Sequence, residues 1–151
     1  MERDRKLVRV VDESMVEVSL PSVLGYERIA MDCSASMAKF IGFSADRIDD
    51  LKTAVSEACI NAIEHGNRLQ PDARVIVTMN FGNGAFTVSV MDEGKGILHL
   101  PKKPDIQQKI EKKETPRGLG IYLMKQLMDQ VEFNEVMDGG HVVRLVIRMG
   151  N

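Results

Sequence analysis

Between residues 75 and 90 apolar and polar side chains alternate twice, on either side of a glycine-rich turn. Val75, Val77, Met79 and Phe81 lead into Gly82–Asn83–Gly84, and Phe86, Val88 and Val90 lead back out. Period-two alternation predicts an antiparallel hairpin with one apolar face, and Asn-Gly suits its turn. Such a face must be covered, and the chain supplies helical patterns to cover it. Pro21–Ser22 can open a first helix with Ser22 as N-cap; Tyr26, Ala30, Cys33, Met37, Phe40 and Ile41 then step by three and four to about Gly42. Ser44 can cap a second helix that runs to about Gly66, with Leu51, Ala54, Val55, Ala58 and Ala62 as its buried stripe.

Leu7–Val11 and Val16–Leu20 read as a strand or hairpin pair before these helices. After the central hairpin, Arg117–Gln130 reads as a third helix. Val131–Val136 and His141–Arg148 read as strands joined by Asp138–Gly139–Gly140. The order predicts an α+β two-layer sandwich, a mostly antiparallel mixed sheet covered on one face by helices. Its 151 residues are read as a single domain, 1–151. Residues 98–116 stand apart: Pro101, Pro104 and Pro116 interrupt them, and charge crowds Lys109–Glu114. A loop that long inside one domain predicts a lid.

Composition removes several classes of function. A net charge of −2, two tyrosines, five phenylalanines and no tryptophan argue against a nucleic-acid surface. Cys33 and Cys59 each fall in an apolar-periodic segment and read as buried thiols, which suits a reducing cytoplasm. The sequence contains no run of the ~20 apolar residues a membrane span needs, and the polar start Met1–Lys6 is not a signal peptide. A cytoplasmic protein without membrane or nucleic-acid partners is therefore expected.

The chemistry concentrates in three short stretches. Glu57 and Asn61 lie four residues apart in the second helix, so they share a face that also carries Glu64 and His65. Asn61 could offer one carboxamide oxygen to Mg²⁺, a hard cation that takes few protein ligands. Glu57, one turn away, could accept or orient the proton of an attacking hydroxyl. Asp92 ends the central hairpin and begins Asp92–Glu93–Gly94–Lys95–Gly96–Ile97. A carboxylate there can accept a hydrogen bond from the exocyclic amine of adenine, where guanine presents a carbonyl, while Gly94 and Gly96 admit close packing against the base. Arg117–Gly118–Leu119–Gly120 opens the third helix, where bare backbone amides and the helix dipole hold anions and Arg117 could add a bidentate contact. His65 alone reads as a local hydrogen-bonding or capping residue, and the ten methionines as core filler.

Together these stretches resemble the three boxes of GHKL (Bergerat-fold) ATPases, in the form seen in anti-sigma factor serine kinases. Ser56–Glu57–Ala58–Cys59–Ile60–Asn61–Ala62–Ile63–Glu64–His65–Gly66 is similar to the N box, Asp92-x-Gly94-x-Gly96 to the adenine box, and Arg117–Gly118–Leu119–Gly120–Ile121 to the second glycine box. Tyr122–Val131 resembles the helix that follows, and the likeness extends from about residue 12 to 149. The resemblance implies a kinase that binds ATP with Mg²⁺ and phosphorylates a serine of an anti-anti-sigma (STAS) protein. It also implies a sigma factor as second partner and a homodimer. Glu57 would be the catalytic base and Asn61 the magnesium ligand. His65, Asp92, Gly94, Gly96, Ile97, Arg117, Gly118, Leu119 and Gly120 would join Asn61 around the nucleotide.

Two positions depart from the pattern. Pro116 stands where many relatives have glycine, and His141 follows Gly140 where many have threonine near the adenine pocket. Two other readings are a binding module that uses ATP without catalysis and an ATPase that activates water. Glu57 speaks against the first, and the second type depends on further domains.

Overall fold

The computed structural model describes residues 14–94, 117–136 and 139–150. Leu7–Val11, the lid segment 98–116, Gly96 and Ile97 lie outside them. Five strands and three helices follow in the order β1 (Val16–Pro21), α1 (Glu27–Ile41), α2 (Ala45–Asn61), β2 (Arg74–Gly82), β3 (Ala85–Met91), α3 (Arg117–Leu127), β4 (Gln130–Glu135) and β5 (His141–Arg148). The strands form one sheet in the order β1-β2-β3-β5-β4. Every pairing among the described strands is antiparallel, so the expected mixed character finds no parallel pair there. The two layers are as expected: all three helices lie on one face of the sheet.

The central hairpin forms as the alternation predicts, with Gly82 opposite Ala85. Asn83 and Gly84 take φ values of 54° and 76°, the left-handed pair of a tight hairpin turn. Val75, Val77, Met79, Phe86, Val88 and Val90 are buried, facing the helices. Leu51, Ala54, Val55, Ala58 and Ala62 of the second helix meet them, as its stripe requires. Ser44 caps that helix, its Oγ accepting from Arg47 N at 3.3 Å.

The first helix is where local patterning misleads. It starts at Glu27, not at Pro21–Ser22, and Tyr26 is its N-cap without a side-chain bond. Ser22 is instead buried and accepts a 2.7 Å bond from Asn67 Nδ2. The buried stripe of α1 is Ala30, Ser34 and Ala38, while Tyr26 is exposed and Phe40 is 91% exposed. Small residues at four-residue spacing let two helix axes approach closely, and Ser34 satisfies its hydroxyl by donating to Met31 O. A reading weighted by hydrophobicity favours Phe40 over Ser34 and so rotates the helix. The C-terminus is as expected, with Gly42 at φ 118°.

The third helix also ends early, at Leu127 rather than Gln130, because by Asp129 the chain has joined the sheet, with its N–H on Val146 O. Arg47, 80 residues upstream, donates to Leu127 O at 3.2 Å and to Asp129 Oδ2 at 3.0 Å. This cation at the helix C-terminus replaces a local stop signal. Cys59 is buried and Cys33 half-buried, both as free thiols; burial, with Glu27 adding, pushes the Cys59 thiol up to about 12. No helix among the described residues is long and apolar enough to cross a membrane.

Candidate nucleotide site

Helices α2 and α3 run antiparallel, and the Arg47 clamp at one end of the pair sets what meets at the other. There Gly120 reaches Glu57 and Asn61. A Cβ on Gly120 would overlap Glu57 Oε1 and stand 4.0 Å from Asn61 Nδ2. Glycine at 120 thus leaves the Glu57 carboxylate its position beside Asn61, where a methyl group would push it aside. Gly118, Leu119 and Gly120 form the first described turn of α3, beside this junction. Gly118 is buried and Leu119 is 38% exposed. Burial raises the Glu57 carboxyl above the ordinary glutamate range, and the charge of Glu64 adds to the shift. Such a shift improves a carboxylate as a proton acceptor near neutral pH.

Past Asn61 the helix widens into one π turn, Ala62–Gly66, closed by Asn67 N on Ala62 O at 2.8 Å. The extra residue in that turn brings Gly66 against Asp92. A Cβ at 66 would fall on the Asp92 carboxylate, so the stretches that resemble the N box and the adenine box meet through a glycine. His65 lies beside this contact, its Nε2 3.9 Å from Glu64 Oε1. It is not among the residues that line the cavity described below.

Asp92 is held from three sides. Its Oδ1 accepts from Gly94 N at 2.7 Å, from His141 N at 3.3 Å, and faces His141 Nδ1 at 3.1 Å. Its own N–H donates to His141 O at 2.9 Å, which continues the β3–β5 ladder by one residue. Gly94 adopts φ +70°, and a Cβ there would enter the carbonyl of Gly139. That turn is tight enough to require glycine. Asn67, fully buried, braces the same turn: Oδ1 accepts from Glu93 N at 2.8 Å, and Nδ2 donates to Ser22 Oγ and Arg74 O.

Between α2, α3 and the sheet lies a small cavity of about 20 Å³, room for roughly one water. Ala58, Ala62, Val90, Ile121, Phe133 and Val143 give it apolar walls, and Asn61, Asp92 and His141 its polar groups. Apolar walls with a few convergent polar groups are the lining of a small-molecule site, but such sites hold roughly 300 Å³ or more, so a ligand larger than water must widen this one. The structure thus brings Glu57, Asn61, Asp92, Gly94, Gly118, Leu119 and Gly120 into one neighbourhood. Arg117 opens α3 there. Sequence reasoning gave no role to Asn67 and marked His141 only as a departure from the family pattern. A buried asparagine just past a helix-ending glycine, and a histidine entering a strand opposite Asp92, were the available signals.

A family model for the histidine kinase-like ATPase domain matches residues 20–147. The chain belongs to this family. Relatives include the serine-protein kinase RsbW of Bacillus subtilis (strain 168), 32% identical over 120 residues, 77% of this chain and 75% of that protein. The anti-sigma F factor of Thermoanaerobacter sp. (strain X514) is 32% identical over 140 residues, 91% of this chain and 96% of that one. Among solved structures, the SiaB–SiaC complex from Pseudomonas aeruginosa gives a TM-score of 0.62 at 16% identity, over 87% of this chain and 88% of that one. The RsbU and RsbW domains of Rv1364c from Mycobacterium tuberculosis give 0.65 at 19% identity, over 89% of this chain and 32% of that longer one. These likenesses place the sheet and helices in the ATPase fold of the family.

Proposed function

We propose that the protein is an ATP-dependent serine kinase that acts as an anti-sigma factor and phosphorylates a serine of an anti-anti-sigma (STAS) protein. The observation that carries this reading is the meeting of Glu57, Asn61 and Gly120 beside the Asp92 cavity. The relatives named serine-protein kinase RsbW and anti-sigma F factor support the activity and the class of partner. In this reading adenine widens the apolar cavity as it enters, and its amine meets Asp92. The triphosphate runs toward the first turn of α3, where the amides of Gly118 and Gly120 receive it. Glu57 then accepts the proton of the substrate serine hydroxyl as its oxygen attacks the γ-phosphorus and ADP leaves. Its raised carboxyl pKa supports that role.

Asn61 would hold Mg²⁺. It places one neutral carboxamide at the edge of the cavity, which fits a cation that keeps its waters and draws other oxygens from phosphates. When bound, the metal would neutralise phosphate charge. Residues 98–116 are the lid in this reading, and His65 and Arg117 complete the nucleotide contacts. Partner switching in the cytoplasm, with a sigma factor as second partner and a homodimer as the working form, completes the proposal.

The test is direct. Incubation with labelled ATP and STAS proteins of the same genome, followed by mass spectrometry, should locate phosphoserine on one of them. Transfer to none would defeat the kinase reading.

A further inference from the structure

We infer that His141 is a specificity-determining residue, which accepts a hydrogen bond from the exocyclic amine of the bound purine through Nε2. The inference rests on the nucleotide reading above and adds a second acceptor to Asp92. His141 is 4% exposed and lines the cavity together with Asp92 and Asn61. Its Nδ1 lies 3.1 Å from Asp92 Oδ1. A carboxylate offers only acceptors, so the nitrogen facing it carries the ring hydrogen, and in the neutral imidazole Nε2 is left with a bare lone pair. That atom is buried and has no hydrogen-bond partner among the described residues.

An unpartnered polar atom in a buried, mostly apolar cavity is costly unless a ligand completes it. In that neutral form the ligand group must be a donor, because the lone pair can only accept. Asp92 gives the same demand: Oδ1 is engaged by Gly94 N, His141 N and His141 Nδ1, so Oδ2 is the oxygen left to accept. Both residues line the same cavity, so two acceptors there match a group with two N–H bonds, as the 6-amino group of adenine has. A 6-carbonyl would bring lone pairs against both. His141 thus strengthens the exclusion of guanine that Asp92 alone would give, and its Nδ1 bond fixes the ring orientation needed to do so.

The affinities of ATP and of purine riboside triphosphate, which lacks the 6-amine, separate this role from a structural one. His141→Asn keeps a donor near the Nδ1 position for Asp92 and removes Nε2. General loosening of the pocket would weaken both nucleotides alike, whereas loss of the Nε2 contact should shrink the ATP preference about threefold to tenfold. An unchanged preference in H141N, with ATP still bound by the wild type, overturns the inference alone. Failure of the wild-type protein to bind ATP defeats the nucleotide reading, and this inference with it. A second measurement needs no variant. In wild-type protein labelled with nitrogen-15, addition of ADP should move the His141 Nε2 resonance while leaving it unprotonated; a resonance that stays fixed, or gains a proton, overturns the proposal.

Discussion

Gly120 of α3 lies against the carboxylate of Glu57 with no space for a side chain between them, since a Cβ at 120 would overlap Oε1. Two segments 63 positions apart in sequence are therefore fitted to each other at the point where the chemistry is proposed. The antiparallel run of α2 and α3, pinned at the far end by Arg47, makes that fit reproducible.

Gly120→Ala tests the fit. Alanine is the better helix former by about 1 kcal/mol, and the atom it meets is the movable end of a side chain. The fold should survive, with a melting temperature equal to or above that of the wild type. Displaced by the methyl group, Glu57 should lose its position, and phosphoryl transfer should fall at least ~10-fold, since small misplacements of reacting groups cost heavily. Wild-type turnover in G120A would show that the position of Glu57 does not matter.

Glu57→Gln keeps the shape and removes the base. ATP binding should persist while transfer falls by about 10²-fold or more. The stability change has a definite sign. Burial and Glu64 raise the folded-state pKa of Glu57 above its unfolded value, so ionising Glu57 weakens the native state. That penalty is absent below the unfolded pKa and complete above the folded one. E57Q should therefore melt higher than wild type at pH 7, and the difference should close as pH falls toward about 4. A gap that widens on acidification would contradict the direction of the shift.

Most of the candidate site was legible in the sequence because its residues announce themselves locally. Glu57 and Asn61 sit at helical spacing, Asp92 ends an alternating strand, and glycines mark Gly94 and Gly120. The hairpin and the α2 stripe were legible for the same reason. What was not legible depends on contacts between distant segments. Ser22 looks like a cap until Asn67, 45 positions on, claims its hydroxyl. The end of α3 is set by Arg47, and the rotation of α1 by small residues whose value lies in close approach rather than hydrophobicity. His141 looked like a departure from a pattern because nothing local ties a histidine to a carboxylate 49 positions away.

Asp92→Asn should act on nucleotide binding rather than on transfer. The carboxylate loses its charge; with the remaining carbonyl oxygen kept at the Oδ1 position for Gly94 N, His141 N and His141 Nδ1, an amide N–H replaces the acceptor Oδ2. Loss of a charge-assisted bond to the adenine amine, worth about 1.5–3 kcal/mol, should weaken ATP binding by roughly 10- to 150-fold in calorimetry. Unchanged affinity would remove Asp92 from the adenine contact.

Asn67→Ala tests the brace beneath that contact. The carboxamide joins three segments, accepting from Glu93 N at 2.8 Å and donating to Ser22 Oγ at 2.7 Å and Arg74 O at 3.0 Å, at a fully buried position. Truncation removes a partner from the part-buried Glu93 N and Arg74 O and from the buried Ser22 hydroxyl, which typically costs ~1–3 kcal/mol in total. Urea denaturation should show a lower midpoint at unchanged slope. Because Glu93 adjoins Asp92, the surviving folded protein should also bind ATP more weakly. Asn67→Asp separates the two effects, since it keeps an acceptor for Glu93 N and loses both donors. It should lose stability yet hold the Asp92 turn, so its ATP affinity should exceed that of N67A. Equal affinity in the two variants would show that the Glu93 bond does not position Asp92.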